Sequence, residues 1–433
     1  MAKLKVVPGL KLRQLASARL ADTLKGANFA PFSALEIEDG RDRALANRLV
    51  TTALRRHGHL DRVIAYLLER GVPKKGGSFE TVLRLSLAQL LYLPELGDHS
   101  ALFLAGEAMK ADAKAQHLGK LMNAVLRRAQ SEAEKLREAP EPLLFPERLV
   151  AQWSAAYGDG AIPAFARALL DGAPLDLTLK DMDRDLIAAL GAAPVIMDTV
   201  RIVERDKPVE LLPGFAEGRF WVQDAAAAIP ARLMGLPEGS RVLDLCAAPG
   251  GKSAQLSKAG YRVTALDDDA GRMARLKGNL ERLAYAAEMV VADGLTYAPE
   301  DLFDGVLLDA PCSATGTFRR HPEVIWHRGG ADISGRVKLQ RQFLGHAASL
   351  VKPGGVLIYC VCSLEPQEGE AQAAWALDRN LGLEIVPIGA SELGGWADPV
   401  TDKGYVRTHP GLTVPGEKAG SLDGFFIARF RKR

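Results

Sequence analysis

"RVLDLCAAPGGKSAQLSKAG", residues 241–260, is the stretch whose reading decides the fold. "RVLDL" is an apolar run of strand length, "CAAPGG" a loop of small residues, and the remainder a helix. Gly250 and Gly251 lack side chains, so a ligand can approach the backbone at the helix N-terminus. Three similar units follow. "RVTALDDDAGRMARLKGNLERL" is a strand ending at Asp267 and then a helix. "EMVVADG" is a strand ending at Asp293, and "FDGVLLDAPCS" one ending at Asp309. With Asp244, four successive strands are tipped by an acid at the carboxyl edge, where open α/β sheets bind ligands. From Arg219 onward, strand, turn and helix alternate, the signature of a parallel α/β domain.

An acid after the second strand is placed to hold a ribose diol, which dinucleotides and S-adenosylmethionine share. The dinucleotide fingerprint G-x-G-x-x-G is absent, with Pro249 in its place, and there is no phosphate-binding G-x-x-x-x-G-K-[ST].

Outward from this region the chain changes character. Residues 10–138 repeat apolar positions at three- and four-residue steps, as in "RALANRLVTTALRR", "LDRVIAYLLERG" and "ETVLRLSLAQLLYL", and predict a helical bundle. "EAPEPLLFPERLV" is a proline-rich linker. Up to residue 218, helical pieces mix with strand-like "PLDLTLK" and "DTVRIVE", a small α+β domain. The expected domains are therefore 1–138, 139–218 and 219–433.

Residues 1–138 hold 23 Lys and Arg against 15 Asp and Glu; the rest holds 32 against 38. A basic appendage on an acidic body fits a polyanionic partner, a solvated helical surface being the alternative. The apolar runs fall short of the roughly 18 residues of a membrane helix, and the N-terminus lacks the apolar core of a secretory signal. Four cysteines without a Cys-x-x-Cys pair suit neither a disulfide framework nor structural zinc. A cytoplasmic monomer without metal or membrane attachment is the expectation.

Asp42 and Arg43 opening a helix, "VLRLSLAQLLYL", "DHSALFLAGEAMK" and "LMNAVLRR" resemble the NusB family of RNA-binding helical domains. "DLCAAPGGK", "ALD", "VVADG", "LLDAPCSATGTFRRHPEVIW", "VLIYCVCSLEPQEGE" and "DGFFIARFRKR" resemble the RNA cytosine-5 methyltransferases of the RsmB/Sun (Fmu) and NOP2 type. The resemblance implies a Rossmann-like class I methyltransferase domain, behind an all-α NusB-like bundle and a small α+β domain. It implies S-adenosylmethionine as cofactor and RNA, 16S ribosomal RNA foremost, as partner. Carried over residue by residue, the cofactor would meet Cys246, Ala247, Ala248, Pro249, Gly250, Gly251, Lys252, Asp267, Asp293 and Asp309.

The chemistry explains why two cysteines belong at such a site. Carbon 5 of cytosine is a poor nucleophile until a thiolate adds to carbon 6. After methyl transfer, the carbon-5 proton must leave so that the thiol can be eliminated. The resemblance makes Cys362 of "VCS" the attacking sulfur and Cys312 of "PCS" the one assisting release. The residues alone leave the two open, since DNA cytosine-5 methyltransferases use a Pro-Cys nucleophile. Asp309 would orient the cytosine. Cys246 and Cys360 read as small buried residues without a catalytic duty. Arg319, Arg320, His321 and Arg328 are candidates to meet phosphates or position a flipped-out base, a solvated basic loop being the alternative.

The middle domain lacks the Arg-x-Asn pattern of such relatives, having "APLDLTLKDMD" instead, which leaves the RNA target open. Two rival readings are weighed. An amino-group methyltransferase would carry Asn/Asp-Pro-Pro-aromatic where this chain has Asp-Ala-Pro-Cys. A non-catalytic RNA-binding ribosome assembly factor would not need the four acids and both cysteines. Another RNA such as tRNA remains an alternative substrate.

Overall fold

The computed structural model describes residues 7–202, 207–379, 381–415 and 420–433. These divide into two compact units. One runs to Leu170 and takes in His321–His327; the other comprises Asp171–Arg320 and Arg328–Arg433.

The first unit is helical. Its central helix, Phe79–Tyr92, buries Leu83, Leu85, Leu87, Leu90 and Leu91 around its circumference, as a helix enclosed on every side must. Helices Leu10–Leu24, Gly40–Arg55, Asp98–Ala111 and Gly119–Ser131 pack around it with one face each. Helix Gly40–Arg55 starts where Asp39 accepts hydrogen bonds from the amides of Arg41 and Asp42, satisfying donors that the first turn leaves free. His59 is buried, with Nε2 3.2 Å from the Pro140 carbonyl, and burial lowers its pKa to about 4. Helices Glu147–Tyr157 and Ala161–Asp171 follow. They fall with the helical unit and not with the strands after them, so the expected boundary at 138 does not coincide with the division near 170.

The second unit carries two sheets. The smaller is antiparallel, built from β1 (Leu175–Leu179), β2 (Ala192–Ile196), β3 (Thr199–Ile202) and β4 (Phe220–Val222) in the order β2-β3-β1-β4. β4 pairs with β1, Leu177 facing Val222, so this sheet crosses the expected boundary at 218. A three-residue strand recruited across more than forty residues of chain leaves no local periodicity to read.

The larger sheet holds β5 (Arg241–Leu245), β6 (Arg262–Asp267), β7 (Glu288–Val291), β8 (Phe303–Asp309), β9 (Val351–Val361), β10 (Leu383–Ile385), β11 (Val406–Thr408) and β12 (Phe425–Lys432). Its order is β10-β12-β9-β8-β5-β6-β7, with β11 paired to β12. The five strands from β9 to β7 are parallel and β12 is antiparallel to β9. Leu357, Ile358, Tyr359, Cys360 and Val361 are fully buried, the continuous apolar run of a strand covered on both faces. The order in which strands are added reverses between the parallel neighbours β5 and β8, β6 and β7 lying on one side and β8 and β9 on the other, and the crevice opens there at their carboxyl ends.

Candidate active site

At that crevice lies a cavity of about 480 Å³, lined by Asp244, residues 247–252, Asp309, Thr317, Arg320, Cys362 and Phe425, by Trp221 and Val222 from the small sheet, and by Gln223 just after it. Gly250 adopts a φ of +101°, and a β-carbon there would stand 2.6 Å from Cγ of Leu276. Only glycine fits the loop against the next helix. Asp244 is fully buried, one oxygen accepting from Ser253 Oγ at 2.5 Å. Its Oδ1 has no partner among the described residues, and burial pushes the carboxyl up to about 7.

Lys252 crosses the cavity floor to Asp309, Nζ to Oδ2 2.7 Å. Burial disfavours its ammonium, but the carboxylates of Asp309 and Asp244 outweigh that and hold the pKa above the ordinary lysine value. Cys360 Sγ lies 3.6 Å from Asp309 Oδ1 and is fully buried, which drives its thiol well above the ordinary value.

β8 and β9 are neighbours, and the loops leaving them bring Cys312 and Cys362 together, Sγ to Sγ 3.3 Å. Cys362 faces the cavity and Cys312 stands behind it. The hydrogen bond to Cys362, burial, and the charges of Cys362 and Glu368 raise the Cys312 thiol well above its ordinary value.

Residues 231–431 match the family described as 16S rRNA methyltransferase RsmB/F, and residues 12–131 match the NusB family. "Ribosomal RNA small subunit methyltransferase B" of Xanthomonas campestris pv. campestris is 34% identical over 413 residues, covering 92% of this chain and 90% of its own. The chain belongs to the RsmB/F methyltransferase family. A solved structure titled "Crystal Structure of PH0851" shares the fold, at TM-score 0.76 and 24% identity over 99% of this chain and 100% of its own. A methyltransferase homolog protein from Pyrococcus horikoshii aligns at TM-score 0.57 and 26% identity, covering 67% and 96%.

In this RsmB/F chain the expected residues divide into two groups. Ala247, Ala248, Pro249, Gly250, Gly251, Lys252, Asp309 and Cys362 line the cavity; Cys246, Asp267, Asp293 and Cys312 do not. Cys246 takes a φ of +65°, and burial raises its thiol far out of the ionising range. Asp267 is buried beneath the glycine loop, accepting from the amides of Ala248 at 3.1 Å and Asp269 at 3.3 Å and pairing with Arg272. Asp293 is exposed two residues past β7, where it caps a turn through the Leu295 amide.

In the basic run after the Cys312 loop, the expectation for Arg319 requires correction. Arg319 is fully buried and belongs to an ion network: Nη2 to Asp224 2.5 Å and to Asp423 2.8 Å, Nη1 to the Ser421 carbonyl 2.7 Å. It meets neither phosphate nor base. Arg320 pairs with Asp423 and keeps its side chain 41% exposed at the cavity. His321 belongs to the helical unit, 3.6 Å from Glu323, and Arg328 donates to the Ser313 carbonyl. Asp244 and Glu368 were missing from the expected site. The first tips the leading strand of the four, so the pattern itself points to it. The second sits in "SLEPQEGE", a local acid run without a distinguishing signal.

Among the described residues no helix is long and apolar enough to cross a membrane, and no group of three His, Cys, Asp or Glu could hold a metal ion.

Proposed function

We propose that this protein methylates carbon 5 of a cytosine in RNA, small-subunit ribosomal RNA in the first place, through a covalent bond between Cys362 and carbon 6. The observation that carries the reading is the thiol pair 3.3 Å apart at the ends of adjacent strands, one sulfur facing the cavity and one behind it.

The cavity fits S-adenosylmethionine. The side-chain-free Gly250–Gly251 turn and the unpartnered Oδ1 of Asp244 suit a ligand bearing an ammonium group, and Asp267 holds the same loop from beneath through the Ala248 amide. When bound, S-adenosylmethionine supplies an electrophilic methyl group. Asp309, anchored by Lys252, keeps its side chain 30% exposed and orients the cytosine by accepting from its amine or protonated ring nitrogen. Cys362 adds as the thiolate to carbon 6, and the electron pair of the C5–C6 double bond becomes available at carbon 5, which takes the methyl group. Once Cys362 is a thioether, the neighbouring thiolate charge is gone; Cys312 gives up its own proton to solvent and, as the thiolate, takes the proton from carbon 5. The double bond then re-forms, and the C6–Sγ pair returns to Cys362.

The deciding experiment compares Cys312→Ala with Cys362→Ala using labelled RNA on denaturing gels. Cys312→Ala is expected to methylate and remain bonded, giving an adduct that depends on S-adenosylmethionine. Cys362→Ala, and the double variant, are expected to give none while binding the cofactor normally. An adduct confined to Cys362→Ala would exchange the roles of the two thiols; methylation by Cys362→Ala at the wild-type rate would refute the covalent reading.

A further inference from the structure

Each site cysteine is followed by a serine, Cys312 by Ser313 and Cys362 by Ser363. Both serines turn away from the cavity and meet one carboxylate. Glu368 is fully buried, and its two oxygens accept four hydrogen bonds. Oε1 takes the Ser313 amide at 2.9 Å and Gln340 Nε2 at 2.9 Å. Oε2 takes Ser313 Oγ and Ser363 Oγ, each at 2.5 Å. The glutamate is itself fixed, because the hydroxyl of Tyr359 in β9 donates to its carbonyl at 2.6 Å. Gln340 also donates to the Pro311 carbonyl at 3.0 Å, so the loop is gripped on both sides of Cys312.

A buried carboxylate is costly unless every lone pair is used. Here the charge is compensated wholly by donors on the two cysteine-bearing loops and the helix behind them. The bonds to Ser313 and Ser363 span 55 and 5 residues of sequence, so one side chain sets the register between loops that the sheet alone brings only into proximity.

We propose that Glu368 is a positioning residue that locks the Cys312 loop to the Cys362 loop, so that Cys312 stays within reach of the methylated adduct and the release step depends on it. This rests on the reading of the two cysteines given above. Glu368 does not line the cavity, so the first methyl transfer and cofactor binding are expected to change little.

The test uses the full chain, S-adenosylmethionine and labelled RNA, and follows a single turnover of methyl transfer and the decay of the denaturation-resistant adduct. Glu368→Ala should lengthen the life of the adduct at least tenfold, with methyl transfer within about threefold of wild type. Glu368→Gln should restore release to within about threefold. Its carbonyl keeps the Ser313 amide and Gln340, and its amide donates to both serine hydroxyls, which can rotate to accept. If Glu368→Ala does not fold, the double variant Ser313→Ala with Ser363→Ala removes both bonds to Oε2 and should also slow release several-fold. Wild-type release by the double variant, or by a folded Glu368→Ala that binds cofactor normally, overturns the proposal. Cys312→Ala run in parallel separates the two levels. If it traps RNA while the Glu368 and serine variants release normally, only the role of Glu368 fails; if it traps nothing, the reading of the cysteines and this proposal fall together.

Discussion

Replacing Arg319 by methionine isolates the energetics of the buried network that carries the site. Methionine approximates the aliphatic stem but removes every donor. Asp423 keeps Arg320, whereas Asp224 is left with only the amides of Ala226 at 2.9 Å and Asp423 at 3.1 Å. Breaking a buried ion pair from one side costs about 3–5 kcal/mol, because the surviving charge stays desolvated. Burial by itself would push the Asp224 carboxyl up; Arg319 and Arg320 outweigh it and hold the pKa below the ordinary value. In the wild type this group therefore contributes stability above the unfolded carboxylate range, lost as pH falls through the folded pKa. In Arg319→Met burial dominates, the sign reverses, and the penalty shrinks as acid protonates the stranded carboxyl. Urea unfolding of the full chain, read by hydrogen exchange in β8, β9 and β12, should show the loss at pH 7.5, a narrower gap at pH 5, and partial recovery when Asp224→Asn is added. A gap under about 1 kcal/mol at pH 7.5, or one that widens on acidification, refutes the reasoning.

Asp267→Ala should weaken S-adenosylmethionine binding at least tenfold, as measured by calorimetry, because it removes the carboxylate that holds the Ala248 amide of the cavity loop, a hydrogen bond to a charged acceptor contributing about 1.5–3 kcal/mol. Gly316→Ala should cost at least about 2 kcal/mol and abolish methyl transfer, because a β-carbon there stands 2.0 Å from the Gly424 carbonyl oxygen, backbone against backbone; a melting curve matching wild type would contradict this. The helical unit should lose stability as pH falls from 6.5 towards 4, since His59 is held neutral in the folded state and protonates first in the unfolded one. His59 can contribute up to about 3 kcal/mol, and His59→Gln should flatten that part of the acid titration.

The sequence by itself determined the order of the strands in the chain, the acids at their carboxyl ends, the helical character of the first part and the loops that carry the cysteines. These follow from properties readable within ten or twenty residues: apolar periodicity, strand length and glycine at a turn. The resemblance added the cofactor and the roles of Cys312 and Cys362. Tertiary structure alone decided what depends on pairing across long separations. β4 joins β1 across the expected boundary, and helices Glu147–Tyr157 and Ala161–Asp171 fall with the helical unit, although nothing in their own periodicity says which core they cover. Arg319 looks like its neighbour Arg320 in sequence, yet one is fully buried between Asp224 and Asp423 and the other reaches the cavity. The four acceptor bonds of Glu368 exist only because β8 and β9 lie side by side, which brings two serines fifty residues apart to one carboxylate. Burial and partner choice are set by which surfaces meet after folding, and a charged side chain reads the same locally whether it ends in solvent or in a core.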